Sequence, residues 1–355
     1  MPNHFLVQRD ALDTTAMTDA EPASAQSGEA IIRVDRFALT ANNITYGVAG
    51  DAIGYWNFFP APDGWGRIPV WGIGTVSASE HPEVAVGTRF YGYFPMSTEL
   101  VVKPEKVSAR GFTDACAHRA QLPAVYNNYS NYSPEQGFDP GYQNHHMLYR
   151  PLFTTSFVLD DFFADNDFFG ATTMILGSAS SKTAFGLAFM LQRRTGLKVV
   201  GLTSASNRSF VEKLGLYHEV LTYDDVESLD LQPSAYVDMA GNRAVLARVH
   251  HHLGDNLRNS CGVGITHWEA REGEAPAELP GVKPSMFFAP SQIVKRHEEL
   301  GPALYQEKIG EATSAFLQRV DEWVTIEEHP FSDVDAVYQN VLQGAQPDRG
   351  FVITA

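Results

Sequence analysis

The chain has 355 residues, which at roughly 100–200 residues per domain predicts two domains. Apolar residues make up 44% and charged residues 19%, a balance that excludes a disordered chain. Lys and Arg number 26 against 42 Asp and Glu, for a net charge of −16 and a pI near 5.1. That surplus of acid argues against nucleic acid or an anionic membrane surface as partner, because both are bound through Lys and Arg.

Two cysteines, Cys116 and Cys261, are too few for a disulfide framework or a four-thiolate zinc site, and fit a reducing compartment. The opening MPNHFLVQRD lacks the pattern of a signal peptide. No stretch approaches the ~20 apolar residues of a membrane span. A soluble, cytoplasmic protein with a small-molecule partner is expected.

Up to about residue 125 the chain reads as short strands: Glu29–Val34, Val70–Ala78, Thr88–Tyr93 and Glu99–Lys103. Gly and Pro punctuate them, which predicts a small β-barrel or sandwich. Residues 131–170 read as irregular. From about 171 the pattern alternates. Strands Thr172–Leu176, Leu197–Leu202, Glu219–Leu221, Ala235–Met239 and Arg258–Val263 are predicted. Helices from about Ser181, over Arg208–Leu214 and over Arg243–Leu253 separate them. This alternation predicts a parallel, doubly wound sheet. Residues 269–285 read as an exposed loop. A long helix over about Ser291–Trp323, a helix over Val334–Gln343 and a strand over Phe351–Thr354 close the chain.

The strand–turn–helix at 172–191 is the strongest chemical signal. Small residues, Gly177-Ser178-Ala179-Ser180-Ser181, lead into a helix with Ser181 as N-cap. Free N–H groups and the helix dipole make such a start an anion site. The turn either binds a dinucleotide pyrophosphate or simply joins strand to helix; of the G-x-G-x-x-G glycines only Gly177 is present. The next strand ends in Thr203-Ser204-Ala205-Ser206-Asn207-Arg208. NAD sites usually carry an acid there for the ribose 2′-hydroxyl. Here hydroxyls and Arg208 suit a 2′-phosphate instead, or Arg208 is solvated beside a helix cap.

Further segments carry a family likeness: GEAIIRVDRFALTANNITYGVAGD at 28–51, IPVWGIGTVSAS at 68–79, VGTRFYGY at 86–93 and LPAVYNNY at 122–129. So do ILGSASSKTA at 175–184, KLGLYHEVLTYDD at 213–225 and DRGFVITA at 348–355. Together they make the chain resemble the zinc-free, quinone-oxidoreductase-like branch of the medium-chain dehydrogenase/reductase superfamily, as a divergent bacterial family. The resemblance implies an α/β protein with a GroES-like β-barrel domain, 1–130 plus 325–355, and a Rossmann domain, 131–324. Residues 131–170 are an insertion on this reading.

The resemblance also implies NADPH as cofactor. Gly177, Ser178, Ala179, Ser180, Ser181, Lys182 and Thr183 would cradle the pyrophosphate. Ser204, Asn207 and Arg208 would hold the 2′-phosphate and Tyr223 would lie against the adenosine. Ala240 and Gly241 would approach the nicotinamide ribose, with Asn128 near the carboxamide. The superfamily's catalytic zinc ligands are replaced by ALTANNITY and VWGIG, so no metal is expected. The runs His250-His251-His252 and His145-His146 do not share a helical face and make poor ligand sets.

Tyr46 matches the family's cleft-facing tyrosine and is the expected proton donor. Asn42 and Asn43 are placed to position a carbonyl, and Tyr55 is a second candidate acid. Tyr55, Trp56, Trp71 and Tyr126 are expected to line a pocket for a flat or apolar substrate. His267 and Trp268 follow a strand at the end where such sheets bind ligands. The expected activity is NADPH-dependent hydride transfer to an activated carbonyl, enone or quinone, in a homodimer. The rivals are an enoyl-thioester reductase and a non-catalytic NADPH-binding sensor.

Overall fold

β-Branched and aromatic residues set the first strands. In the computed structural model, which describes residues 3–52, 54–239, 241–263 and 279–355, β1 (His4–Gln8) and β2 (Ala11–Thr18) form a hairpin. Next comes β3 (Ala30–Leu39), which buries Ile32, Val34 and Phe37 completely. Helix α1 (Ala41–Val48) follows. Then come β4 (Trp65–Gly66), β5 (Pro69–Ser79), β6 (Arg89–Pro95), β7 (Glu99–Val102), β8 (Pro104–Ser108), β9 (Gly111–Asp114) and β10 (Asn128–Asn131).

Helix α2 (Gln143–Asp165) leads to β11 (Thr173–Leu176), α3 (Lys182–Leu191), β12 (Lys198–Thr203) and α4 (Arg208–Leu214). After these come β13 (Glu219–Thr222), β14 (Ser234–Asp238), α5 (Arg243–Leu253), β15 (Leu257–Val263) and β16 (Ser285–Phe287). Helices α6 (Ala289–Leu300) and α7 (Pro302–Leu317) precede β17 (Thr325–Pro330), α8 (Val334–Leu342) and β18 (Arg349–Thr354).

Two compact units result, 1–148 with 325–355, and 149–324. The first holds a nine-stranded sheet, ordered β17-β18-β3-β5-β6-β10-β9-β8, with β7 also on β3, and a three-stranded sheet β2-β1-β4. All pairs are antiparallel except β17 with β18. The second unit is a six-stranded parallel sheet, β13-β12-β11-β14-β15-β16. Its strand order reverses between β11 and β14, the switch point at which open α/β sheets bind ligands. Ile175, Val200, Leu202, Tyr236 and Val249 form its core, with Leu253 and Leu257.

Four differences from the sequence reading stand out. Residues 131–170 are not irregular: α2 occupies 23 of them. Its apolar residues Phe153, Phe157 and Val158 are buried, and Pro151 inside the helix hides the period. The long helix expected over 291–323 is two helices, broken where Gly301 takes φ 82° and Pro302 opens α7. Proline suits a first helical turn because no intrahelical N–H is needed there. The expected loop 269–285 ends in strand β16, which pairs with 257–263 and lies beyond it in the sheet. Strands β1 and β2 and helix α1 were not anticipated.

Candidate functional site

In the first unit, α1 carries the candidate side chains Asn42, Asn43 and Tyr46. After Ala41 its residues are weak helix formers, and local bonds fix its start. Asn43 Oδ1 accepts from the Thr40 amide (2.8 Å) and hydroxyl (3.1 Å), and Asn43 Nδ2 donates to the Pro69 carbonyl (2.9 Å). Both ends of this buried amide are thus engaged by the chain itself, which ties α1 to β5 and sets the direction of Tyr46.

The Tyr46 hydroxyl accepts from Asn42 Nδ2 (2.7 Å) and faces the Trp71 indole N–H (3.4 Å). Rings close around it: Tyr55 at 4.6 Å, Tyr93 at 5.7 Å and Tyr126 at 6.4 Å between centroids. Burial first, then neighbouring Tyr126, raises the Tyr46 phenol well above its ordinary pKa. It is a neutral O–H at any physiological pH. Tyr55 bonds Tyr126 hydroxyl to hydroxyl at 3.0 Å, and burial pushes its pKa up to about 12. Trp71, half-buried, stacks on Tyr91 at 5.4 Å. Trp56 is 2% exposed and fills the space a side chain would need at Gly50 and Gly66. Asn128 is exposed and accepts from Thr113 Oγ1 (2.9 Å).

Sequence reading passed over two residues here. Tyr93, wholly buried, sets its hydroxyl beside the Tyr46 phenol. Arg119, also wholly buried, bonds Asp114 (2.9 Å), Tyr129 (3.1 Å) and the Phe58 carbonyl (3.3 Å), and its guanidinium lies over the Phe59 ring. It links β9, β10 and the 55–58 turn behind the tyrosines. The alternation of Tyr91 and Tyr93 on one strand was the available signal for the first. A lone arginine in a loop offered none for the second.

In the second unit, β11 runs into Gly177 and a turn in which Ser178 has φ 52°. Ser181 caps α3 by accepting from the Ala184 amide (3.2 Å). The amides of Lys182 and Thr183, in the first turn of α3, have no acceptor within the helix. Asn207 Nδ2 donates to Ser180 Oγ (3.1 Å), which joins the end of β12 to the turn. Ser204 Oγ lies 2.9 Å from Ser206 Oγ. Arg208 is bridged to Glu212 at 2.8 Å on an exposed face. Tyr223 reaches Ser178, and burial raises its phenol. Asp238, buried at the end of β14, accepts from the Gly241 amide (2.9 Å). Ala240, His267 and Trp268 lie outside the described residues.

The structure therefore gathers Asn42, Tyr46, Tyr55, Trp71 and Tyr126 into one cluster. It gathers Ser178, Ser180, Asn207 and Tyr223 around one turn. Among the described residues, no three His, Cys, Asp or Glu side chains group as metal ligands. No described helix is long and apolar enough to cross a membrane.

These two units define the class: a GroES-like β domain and a Rossmann domain, the fold of medium-chain dehydrogenases and reductases. The chain belongs to the family described as "Protein of unknown function (DUF2855)", which its residues 37–347 match. Among solved structures, CurA from Vibrio vulnificus in complex with NADPH is similar at 14% identity and a TM-score of 0.65, over 99% of both chains. CurK enoyl reductase is similar at 14% and 0.54, over 99% of both chains. A Bacillus thuringiensis protein described as an NADPH:quinone reductase is similar at 14% and 0.54, over 99% of this chain and 98% of that one. No curated protein matches the chain by sequence.

Proposed function

We propose that the chain is a metal-free oxidoreductase that binds NADPH and reduces an activated carbonyl, enone or quinone. The observation that carries this reading is the turn from β11 into α3. It combines a left-handed Ser178, small side chains and the open first turn of a ten-residue helix, the chemistry that receives a diphosphate. The side chains present fit that group: hydroxyls at Ser180 and Ser181, and Lys182 at the helix start, while the Ser178 hydroxyl is taken up by Tyr223. No carboxylate lies in 203–208 to hold a ribose 2′-hydroxyl. Arg208 supplies a guanidinium for a 2′-phosphate. Its bridge to Glu212 is exposed and hence weak, so a phosphate competes for it.

NADPH, when bound, supplies the hydride. Tyr46 holds the proton: two donors, Asn42 and Trp71, point at its oxygen, and its own O–H serves the oxyanion that reduction creates. Asn43 is a positioning residue through α1. Tyr55, Trp71 and Tyr126 face a flat substrate, and Tyr55 is the reserve acid. The likeness to CurK enoyl reductase favours a second reading, an enoyl-thioester reductase.

Both reduced cofactors should be titrated into the whole protein. NADPH should bind more tightly than NADH by on the order of tenfold to a hundredfold, the worth of a charge-assisted bond, and Arg208→Ala should remove the difference. Equal affinities would defeat the assignment. Turnover with ketones, enones, quinones and an enoyl thioester then selects the substrate class, and should survive a strong chelator. Tight NADPH binding with no turnover on any of them would make the protein a sensor.

A further inference from the structure

Three consecutive residues of the turn after β11, 178–180, are bonded by side chains from elsewhere in the second unit, and Gly177 before them is packed closely against a fourth. At Gly177, a Cβ would stand 2.7 Å from the hydroxyl of Tyr236 on β14. At Ser178, the side-chain hydroxyl and the amide both reach the phenol oxygen of Tyr223. At Ala179, the carbonyl accepts from the Tyr217 hydroxyl (2.8 Å), and the amide donates to the Leu202 carbonyl (2.9 Å). At Ser180, the hydroxyl accepts from Asn207 (3.1 Å). Room for Tyr217 comes from Gly201 on β12, where a Cβ would lie 3.0 Å from both the Tyr217 ring and the Ala179 side chain.

The bracing matters because of Ser178. Its φ of 52° is left-handed, a region that any residue with a Cβ resists. Such a residue persists only where its surroundings over-determine it. Glycine adopts such a φ without cost, but the residue at 178 is a serine.

We propose that Tyr217 is a positioning residue for dinucleotide binding. Its hydroxyl, bonded to the Ala179 carbonyl, holds the neighbouring Ser178 left-handed. With Tyr236 and Tyr223 it imposes from outside the turn the conformation that glycine permits from within. The role in binding rests on the NADPH reading above. The conformational role does not.

Two measurements on the whole protein test it. Tyr217→Phe keeps the ring against Gly201 and removes only the bond to Ala179. NADPH affinity should fall roughly fivefold, as for one neutral hydrogen bond. Adding Ser178→Gly should restore it, because glycine adopts this φ unaided. A loss that arises merely from a damaged domain would not be repaired by a glycine. Without cofactor, amide hydrogen exchange over 177–184 should be faster in Tyr217→Phe than in wild type. Unchanged affinity in Tyr217→Phe, or a loss that Ser178→Gly leaves in place, overturns the proposal. If the wild-type protein binds no NADPH, the dinucleotide reading fails by itself. The exchange comparison then decides the brace, and equal rates overturn it.

Discussion

Tyr46 shows how a single residue can be placed for chemistry by bonds made several residues away. Asn43 anchors α1 to the Thr40 cap and the Pro69 carbonyl, and Tyr46 follows one turn later with its oxygen between Asn42 and Trp71. Tyr46→Phe keeps the ring and its three aromatic neighbours, so the fold should survive. Turnover with an enone or ketone should fall by at least about a hundredfold, the low end for positioned acid catalysis, with NADPH affinity unchanged. A smaller loss in steady-state rate would hand the proton to water or Tyr55. At this scale the sequence showed residue types but not partners. Tyr46, Tyr55, Trp71 and Tyr126 could be singled out by local context. Tyr217 and Tyr236 could not, because their meaning lies in contacts with a turn dozens of residues away. Arg119 was equally hidden, since nothing local announces a buried guanidinium.

Among the elements, α5 and β15 are coupled by one histidine. Buried His250 on α5 faces Ser260 Oγ through Nε2 (2.9 Å) and the Pro280 carbonyl through Nδ1 (3.0 Å). Burial, the largest influence, holds its pKa below the ordinary 6.5; the Pro280 carbonyl opposes this and neighbouring His251 adds to it. The unfolded chain therefore takes up this proton at a higher pH than the folded chain does. The contribution of His250 to stability is complete above about pH 6.5 and is lost as pH falls through the folded value. Denaturant midpoints at pH 7.5 and 5.5 should differ less in His250→Gln than in wild type; an equal difference would remove His250 from the account. The helical bounds Arg208–Leu214 and Arg243–Leu253 were legible because apolar spacing, Gly215 and Gly254 mark them. Helix α1 was not, since Asn, Thr and Gly disguise a helix that its cap and the buried Tyr46 create. Helix α2 was masked by Pro151.

For the whole molecule, β16 is the outermost strand on its side of the second unit's sheet among the described residues. Phe288 beside it is 66% exposed and Met286 within it 40%. Strand edges and exposed apolar side chains invite pairing, and we propose that two copies meet here as a homodimer. Light scattering at micromolar concentration should give twice the chain mass, and Phe288→Asp should shift it toward the monomer. A monomeric wild type would refute the pairing. The alternation of strands and helices made this unit's architecture readable from sequence alone. In the first unit the short punctuated strands point to a small β-barrel or sandwich, but the joining of its two ends shows only through the family resemblance of 28–51 and 348–355, because no local pattern pairs segments so far apart.

That joining has a consequence for how the protein comes into being. Strand β18 lies between β17 and β3, with Phe351 opposite Leu39 and Val352 opposite Ala38. On a ribosome making ~5–20 residues per second, residue 355 follows residue 148 by roughly 10–40 s. Throughout that wait the Arg36–Leu39 half of β3 lacks the neighbour it will finally have, while the sheet spanning 173–287 emerges whole. The inner unit should thus mature first, and the outer one only after release of the last strand. A chain ending at Gln346 should keep 149–324 resistant to brief proteolysis and leave 1–148 readily cut. Equal protection of both units in that shortened chain would mean that the outer sheet closes without its final strand.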